Sequence, residues 1–423
     1  MDRMFHTGNR QKLYEQMKPH SLLVLFSGEE VRKTHDEYYP FFADRNFVYL
    51  TGITQKEAVL FALKGDTAVE ERLYILPSDP MKERWTGRRL TPQEAEALSG
   101  ISDIRISDDF LSDFHSIAAG GHYSLIPQNY ESLYMDVFRM SPADRDTPAH
   151  RMLPLVQANY PYLRLENACA LVRRLRLIKQ PCEIEAYRKA EEITRSGIVA
   201  MMHASRPGMY EYQYKAEFDR ALGQYGPDGP GFPSIISAGL NNFCIHYYSY
   251  TGQAKDGDMV LADVGAQWDG HIADVSRGFP CNGRFSERQK LLFDCMKRTS
   301  DHMFETVKPG MRMNDVDQQI RAYNAQLLVD AGVMKNVNEI GTYMWHGGAH
   351  HIGYDVHDVV ERPEIIGPGM MFCIDIGVYH EAWGIGFRLE DNLLVTEDGC
   401  ENMSAAIPRS PEAIEDEMRK GLY

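Results

Sequence analysis

Paired cysteines are missing from this chain: seven cysteines occur among 423 residues, an odd number with no CxxC spacing. Neither a disulfide framework nor a thiolate zinc site is indicated, and a reducing cytoplasm is the expected compartment. Long apolar runs are missing too. The stretch Leu22 to Phe26 is far too short for a signal or membrane span, and Met1 to Lys18 is polar and helix-like, so a mature, soluble chain without a membrane partner is expected. Nor is there an excess of positive charge: 45 Lys and Arg face 60 Asp and Glu, a net charge of −15. That balance argues against nucleic acid as a partner, and the basic stretches Arg173 to Arg176 and Glu83 to Arg89 are too short to change it. What remains is an ordinary globular composition, 43% hydrophobic and 25% charged, with length for two or three domains.

From about 21 to 125, short β-rich runs (Leu22 to Phe26, Phe47 to Leu50, Ala58 to Leu63, Leu73 to Leu76) mix with helical stretches such as Pro92 to Leu98, an α/β pattern. The proline-dense stretch Ser141 to Pro161 reads as a connection, which divides the chain into domains 1–160 and 161–423. Beyond it, Pro181 opens a helix to about Ser205. Then follow Pro207-Gly208-Met209, a second helix, and the strand-like run Ser234 to Ala238. The order helix, Pro-Gly-Met, helix, hairpin recurs from Ser286 through Pro309-Gly310-Met311 to Glu390. An offset of 112 residues aligns Asp263 with Asp375, Gly257 with Gly369, Met259 with Met371 and Gly265 with Gly377. This predicts a duplicated, pseudo-twofold α/β domain whose halves each lend a curved hairpin to one crevice.

Each of those hairpins carries two acids inside apolar runs. Asp375 and Glu390 are equidistant from Ala382/Trp383, and Asp263 and Asp274 from Trp268/Asp269, so each pair is expected to share one sheet face. A single acid in a strand more often faces water. Two opposed pairs about 5 Å apart repel unless they share protons or neutralise cations, and their convergence predicts a metal site. Between the hairpins lies His346 to Asp358, with glycines for close backbone approach and several imidazoles, among them His346, His350 and His357. Oxygen-rich ligation with one nitrogen suits two Mn²⁺ ions, and Zn²⁺ or Co²⁺ also fit. Such a pair activates water and polarises a carbonyl, the apparatus of amide hydrolysis.

These residues resemble the pita-bread metallopeptidases, and within them the Xaa-Pro aminopeptidases and prolidases. The resemblance is carried by Ser234 to Gly239, Ile245 to Tyr247, Asp263 to Pro280, His346 to Asp358 and Gly386 to Asn392, and in the amino-terminal part by Glu37 to Gly52 and Trp85 to Arg89. It implies a pita-bread catalytic domain preceded by a smaller α/β domain of the creatinase/aminopeptidase P type. Metal ligation would fall to Asp263, Asp274, His350, Asp375 and Glu390, with hydrolysis by a hydroxide bridging the ions. His357 is similar to the residue that steadies the tetrahedral intermediate, His246 to a contact with the scissile amide or leaving amine, and His346 to a wall of the proline pocket. Arg388 resembles an arginine that orients ligand carboxylates, and Trp85 and Tyr379 are expected to line the substrate crevice.

One departure stands out. The family has Glu-Pro-Gly where this chain has Asp375-Ile376-Gly377, which shortens by one methylene the carboxylate that would bind metal and handle the proton of the attacking water. The resemblance implies a cytoplasmic enzyme that cleaves the bond between an amino-terminal residue and proline, acting on proline-containing peptides or dipeptides, and a homodimer or homotetramer. The alternatives are a silent pita-bread protein that binds peptides or partners, and a metal-free creatinase-like hydrolase, which would have no use for a complete ligand set.

Overall fold

Leu22, Leu23, Val24 and Leu25 are all buried, the signature of a strand covered on both faces. This strand, β1 (Ser21–Phe26), pairs antiparallel with β2 (Val59–Lys64), which in turn pairs with β3 (Val69–Ile75). Three short parallel additions, β4 (Ile104–Ile106), β5 (Ser132–Met135) and β6 (Arg164–Asn167), complete a six-stranded sheet in the order β4-β3-β2-β1-β5-β6. Phe61, Phe110, Phe114 and Leu133 pack on it. In this computed structural model the described residues are 1–120, 129–358 and 365–421, so 121–125, the end of the expected α/β stretch, lies outside them. Residues 1–176 form one compact unit and 177–423 a second. The proline-dense stretch carries the helix Pro148–Asn159, with Pro148 in its first turn.

One element differs from expectation. Phe47 to Leu50 was expected to be extended, but it lies in the helix Arg45–Thr51. The Asp44 carboxylate accepts from the Phe47 amide at the start, and Gly52 closes the end at φ 70°. Capping decides the state of an apolar run too short to show a period.

In the second unit the duplication is plain. The helix Pro181–Ala204 starts at a proline, with Gln180 and Glu183 forming a capping box, and packs on the helix Glu211–Leu222. At Gly197 a Cβ would come within 2.4 Å of the Phe218 ring, so glycine permits that close approach. Strands β7 (Ile235–Ala238) and β8 (Met259–Val264) follow, then the short pair β9 (Gln267–Trp268) and β10 (His271–Ile272), then β11 (Val275–Pro280). The second half repeats the helices as Glu287–Thr306 and Met313–Asp330. Its sheet contains β12 (Ala349–His351), β13 (Met371–His380), β14 (Ile385–Val395) and β15 (Cys400–Asn402) in that order. Gly208 and Gly310, the glycines of the two Pro-Gly-Met connections, both take positive φ, 86° and 91°. One apolar core, including Phe279, Phe293, Phe387 and Leu389, fills the space between the helices and both hairpins.

Candidate metal centre

The second hairpin has the expected register, with Asp375 on β13 opposite Glu390 on β14. The first does not. Asp263 on β8 faces Ser276 on β11, and the ladder continues through Trp268 opposite His271. The turn is therefore centred on Asp269 and Gly270, whose φ values are both positive, 50° and 85°, as a type I′ turn requires and as Asp-Gly favours. The equidistant pairing of Asp263 with Asp274 is thus corrected by two residues. An even shift preserves the side-chain face, so both carboxylates still meet on one surface.

The donors converge from β8, β12, β13 and β14 and from Asp274, just before β11. His350, on β12, lies 3.2 Å from Glu390 Oε1 and 3.6 Å from Asp274 Oδ2 through its Nε2. Asp274 is held by Asn392, whose Oδ1 accepts from the Asp274 amide at 3.0 Å and whose Nδ2 donates to the Asp274 carbonyl. Glu390 Oε2 accepts from Ser276 Oγ at 2.9 Å. Arg388, 2% exposed, donates to Asp263 Oδ2 at 2.6 Å, to the Tyr379 hydroxyl at 3.1 Å and to the Ile245 carbonyl at 3.3 Å. Donor atoms of Asp274, His350, Cys373 and Glu390 all lie within 4.8 Å of one another.

The electrostatics of this cluster call for cations. Among the described residues, Oδ1 of Asp263, of Asp274 and of Asp375 is buried without a hydrogen-bond partner, a costly state for any carboxylate oxygen. Burial, and then the neighbouring carboxylates, push the acids of Asp274 and Glu390 well above the usual range. Burial acts on Asp375 in the same direction and is the largest single influence, but His346, with Nδ1 3.0 Å from Asp375 Oδ2, together with Arg388 and His350, holds that acid low. Divalent ions would satisfy the orphaned oxygens and cancel the repulsion, so the residues present fit a metal pair.

Of the other expected residues, His357, His346 and Tyr379 stand beside these donors. His357 lies ring to ring with His350 at 4.3 Å, and burial brings its imidazole down to about 4. His346 Nε2 is 3.2 Å from the Tyr379 hydroxyl, and Trp345 stacks on Tyr379 at 4.5 Å. His246 is exposed, on the segment after the short helix Gly239–Phe243, with its ring 6.4 Å from that of Tyr248. Trp85 belongs to the first unit, on the helix Pro80–Thr86, and is 86% exposed.

Sequence reading missed Ser276, Asn392, Cys373 and Glu211. Ser276 becomes visible once Asp-Gly is recognised as the turn centre. Glu211 is fully buried and anchors the segment that carries His246. Its Oε1 accepts from the Ala238 amide and Asn241 Nδ2, both at 2.8 Å, and its Oε2 from the Tyr247 hydroxyl at 2.7 Å and the Gly252 amide at 2.6 Å. Glu211→Gln turns one acceptor oxygen into a donor facing donors. It is expected to cost about 2–4 kcal/mol, read by urea unfolding, and to speed amide exchange across 238–252.

Comparison with known proteins gives the family. The profile of metallopeptidase family M24 matches residues 185–397, and that of the aminopeptidase P N-terminal domain matches residues 6–126. The Escherichia coli (strain K12) Xaa-Pro aminopeptidase is 30% identical over 96% of this chain and 95% of its own length. The solved structure of a Bacillus anthracis protein assigned as an aminopeptidase P superposes with a TM-score of 0.95 at 32% identity, covering 100% of this chain and 99% of that one. Escherichia coli aminopeptidase P with the inhibitor Pro-Leu superposes with a TM-score of 0.90 at 28% identity and the same coverage. The chain belongs to metallopeptidase family M24.

Proposed function

We propose that this member of metallopeptidase family M24 hydrolyses the bond between an amino-terminal residue and proline in peptides, using two divalent ions held by Asp263, Asp274, His350, Asp375 and Glu390. The observation that carries the reading is the convergence of buried carboxylates with orphaned Oδ1 atoms on Asp263, Asp274 and Asp375 beside His350. The relatives supply the reaction: they are Xaa-Pro aminopeptidases, and a zinc-substituted Escherichia coli aminopeptidase P was solved with product. Mn²⁺ is the proposed resident ion, supported by the oxygen-rich donor set.

When bound, the ions supply Lewis acidity and a water made nucleophilic near neutral pH. The chain's residues do the rest. Asp375 Oδ1, buried and unpartnered, is placed to take the proton of the attacking water, one methylene further back than a glutamate would be. His357, neutral at pH 7 because burial lowers its imidazole to about 4, presents an N–H to the carbonyl oxygen as charge develops there. His246 contacts the leaving amine, and His346, Tyr379 and Trp345 wall the proline side. Proline's tertiary amide has no N–H to offer, so recognition rests on ring packing against that wall.

The silent peptide-binding alternative is not favoured, because all five ligand positions keep donor side chains. A reducing, cytoplasmic location is proposed with the support of seven free cysteines; among the described residues no helix is long and apolar enough to cross a membrane. A homodimer or homotetramer is proposed with the support of the exposed Tyr39, Phe42, Met81 and Trp85 on the first unit, and the mass in solution tests it. For the activity, metal-free protein is reconstituted with Mn²⁺, Co²⁺ or Zn²⁺ and offered Ala-Pro, Ala-Pro-Ala and Ala-Ala-Ala. Release of alanine from the proline peptides alone is expected; equal cleavage of Ala-Ala-Ala, or no cleavage with any ion, would defeat the proposal.

A further inference from the structure

We propose that Cys373 Sγ is a donor atom of the metal centre and makes the position shared with Asp274, His350 and Glu390 selective for thiophilic divalent ions of the zinc and cobalt class. The inference deepens the metallopeptidase reading and rests on it. Its basis is the four-atom group whose members lie within 4.8 Å of one another, close enough to draw in around one ion with ligand bonds of about 2.0–2.3 Å. The group contains Cys373 and not Asp375.

Register brings Cys373 to the metal centre. Cys373 sits two residues before Asp375 on β13, on the same face, opposite His350 on β12 and Asn392 on β14. The shortened Asp375 carboxylate is drawn sideways, with Oδ2 3.0 Å from His346 Nδ1. Asp274, one of the four donors and 3% exposed, keeps a buried Oδ1 without a hydrogen-bond partner among the described residues, a lone pair left for a cation. Asn392 Nδ2, which donates to the Asp274 carbonyl, also lies 3.3 Å from Cys373 Sγ, so one amide fixes both donors.

Sulfur is a soft donor, and a site with one thiolate, one imidazole and two carboxylates shifts preference away from the hard, oxygen-seeking Mn²⁺. The thiol proton leaves to solvent as the ion enters, and the thiolate occupies the coordination position. Asp263, with oxygen neighbours and Arg388, leaves the other position oxygen-rich and suited to Mn²⁺. A cysteine that serves packing alone behaves as a small apolar residue and confers no such preference.

Cobalt is the probe. Metal-free full-length protein titrated with Co²⁺ is expected to develop a near-ultraviolet thiolate-to-cobalt absorption band. Cys373→Ser should bind the same number of ions without the band, and its zinc-over-manganese affinity ratio should fall about tenfold. Two bound cobalt ions without a sulfur band, or a band that survives in Cys373→Ser, would overturn the proposal while leaving the metallopeptidase reading intact. No cobalt binding at all would overturn both. X-ray absorption on the zinc-loaded parent protein needs no variant: a sulfur neighbour at about 2.3 Å supports the proposal, and nitrogen and oxygen neighbours alone overturn it.

Discussion

Replacing Asp274 by asparagine is expected to lower Xaa-Pro turnover by about three orders of magnitude or more, a barrier increase of about 4 kcal/mol. It should also reduce bound metal below two ions per chain. Asp274 is the acid on which the cluster converges: its Oδ2 faces His350 at 3.6 Å, its Oδ1 is orphaned, and both its backbone groups are fixed by Asn392. Asparagine keeps the shape and the Asn392 contacts but withdraws a negative charge that a dication needs. Asp274→Asn therefore separates metal binding from folding. The metal-free variant is expected to melt no lower than the metal-free parent, because burial and the nearby carboxylates already disfavour the charged acid there. Metal content, turnover of Ala-Pro-Ala and thermal melting without metal read the three effects. Full metal content with normal turnover would contradict the assignment of Asp274.

The second large effect belongs to Arg388. Its guanidinium joins the Asp263 carboxylate, the Tyr379 hydroxyl and the Ile245 carbonyl, so one planar fork sets a ligand, a pocket wall and the segment leading to His246. Arg388→Met leaves the partly buried Asp263 without its cation, a loss of about 3 kcal/mol in the metal-free protein. Because an oriented carboxylate binds metal better than a loose one, affinity for the ion at Asp263 should fall about 10–100-fold. Arg388→Lys restores the charge but not the fork, and is expected to recover part of the stability and little of the metal affinity. Urea unfolding without metal and titration with Mn²⁺ measure the two quantities. Equal stability of parent and Arg388→Met would show that the pair adds nothing net.

Much of this was legible in the residues, and the gaps have physical causes. The Asp375 and Glu390 pairing follows from equal distance to the turn, and the repeated helix, Pro-Gly-Met, helix, hairpin order follows from chain punctuation. The other hairpin differs by two residues because equal distance from Asp263 and Asp274 points to Trp268/Asp269, whereas the left-handed backbone of a type I′ turn centres it on Asp269 and Gly270. Phe47 to Leu50 is ambiguous in sequence because a short apolar run fits a strand as well as a buried helix, and the deciding caps, Asp44 and Gly52, lie outside the run. Cys373 stayed hidden because metal-binding cysteines are sought in paired spacings, while its relation to His350 is made by strand register alone. Glu211 carries no local signal, and only the fold brings Ala238, Asn241, Tyr247 and Gly252 to its carboxylate. Local pattern reveals elements and opposed pairs; contacts closed over long sequence separation need the fold.

The most direct measurement is the metal stoichiometry and ion positions in crystals of the reconstituted protein, located by anomalous scattering at the manganese edge and, after exchange, at the zinc edge. Two ions are expected, held by Asp263, Asp274, His350, Asp375 and Glu390, with Cys373 Sγ joining Asp274, His350 and Glu390 at one of the two positions. A centre that stays empty at saturating metal, or ions bound elsewhere while these carboxylates remain unligated, would contradict the account.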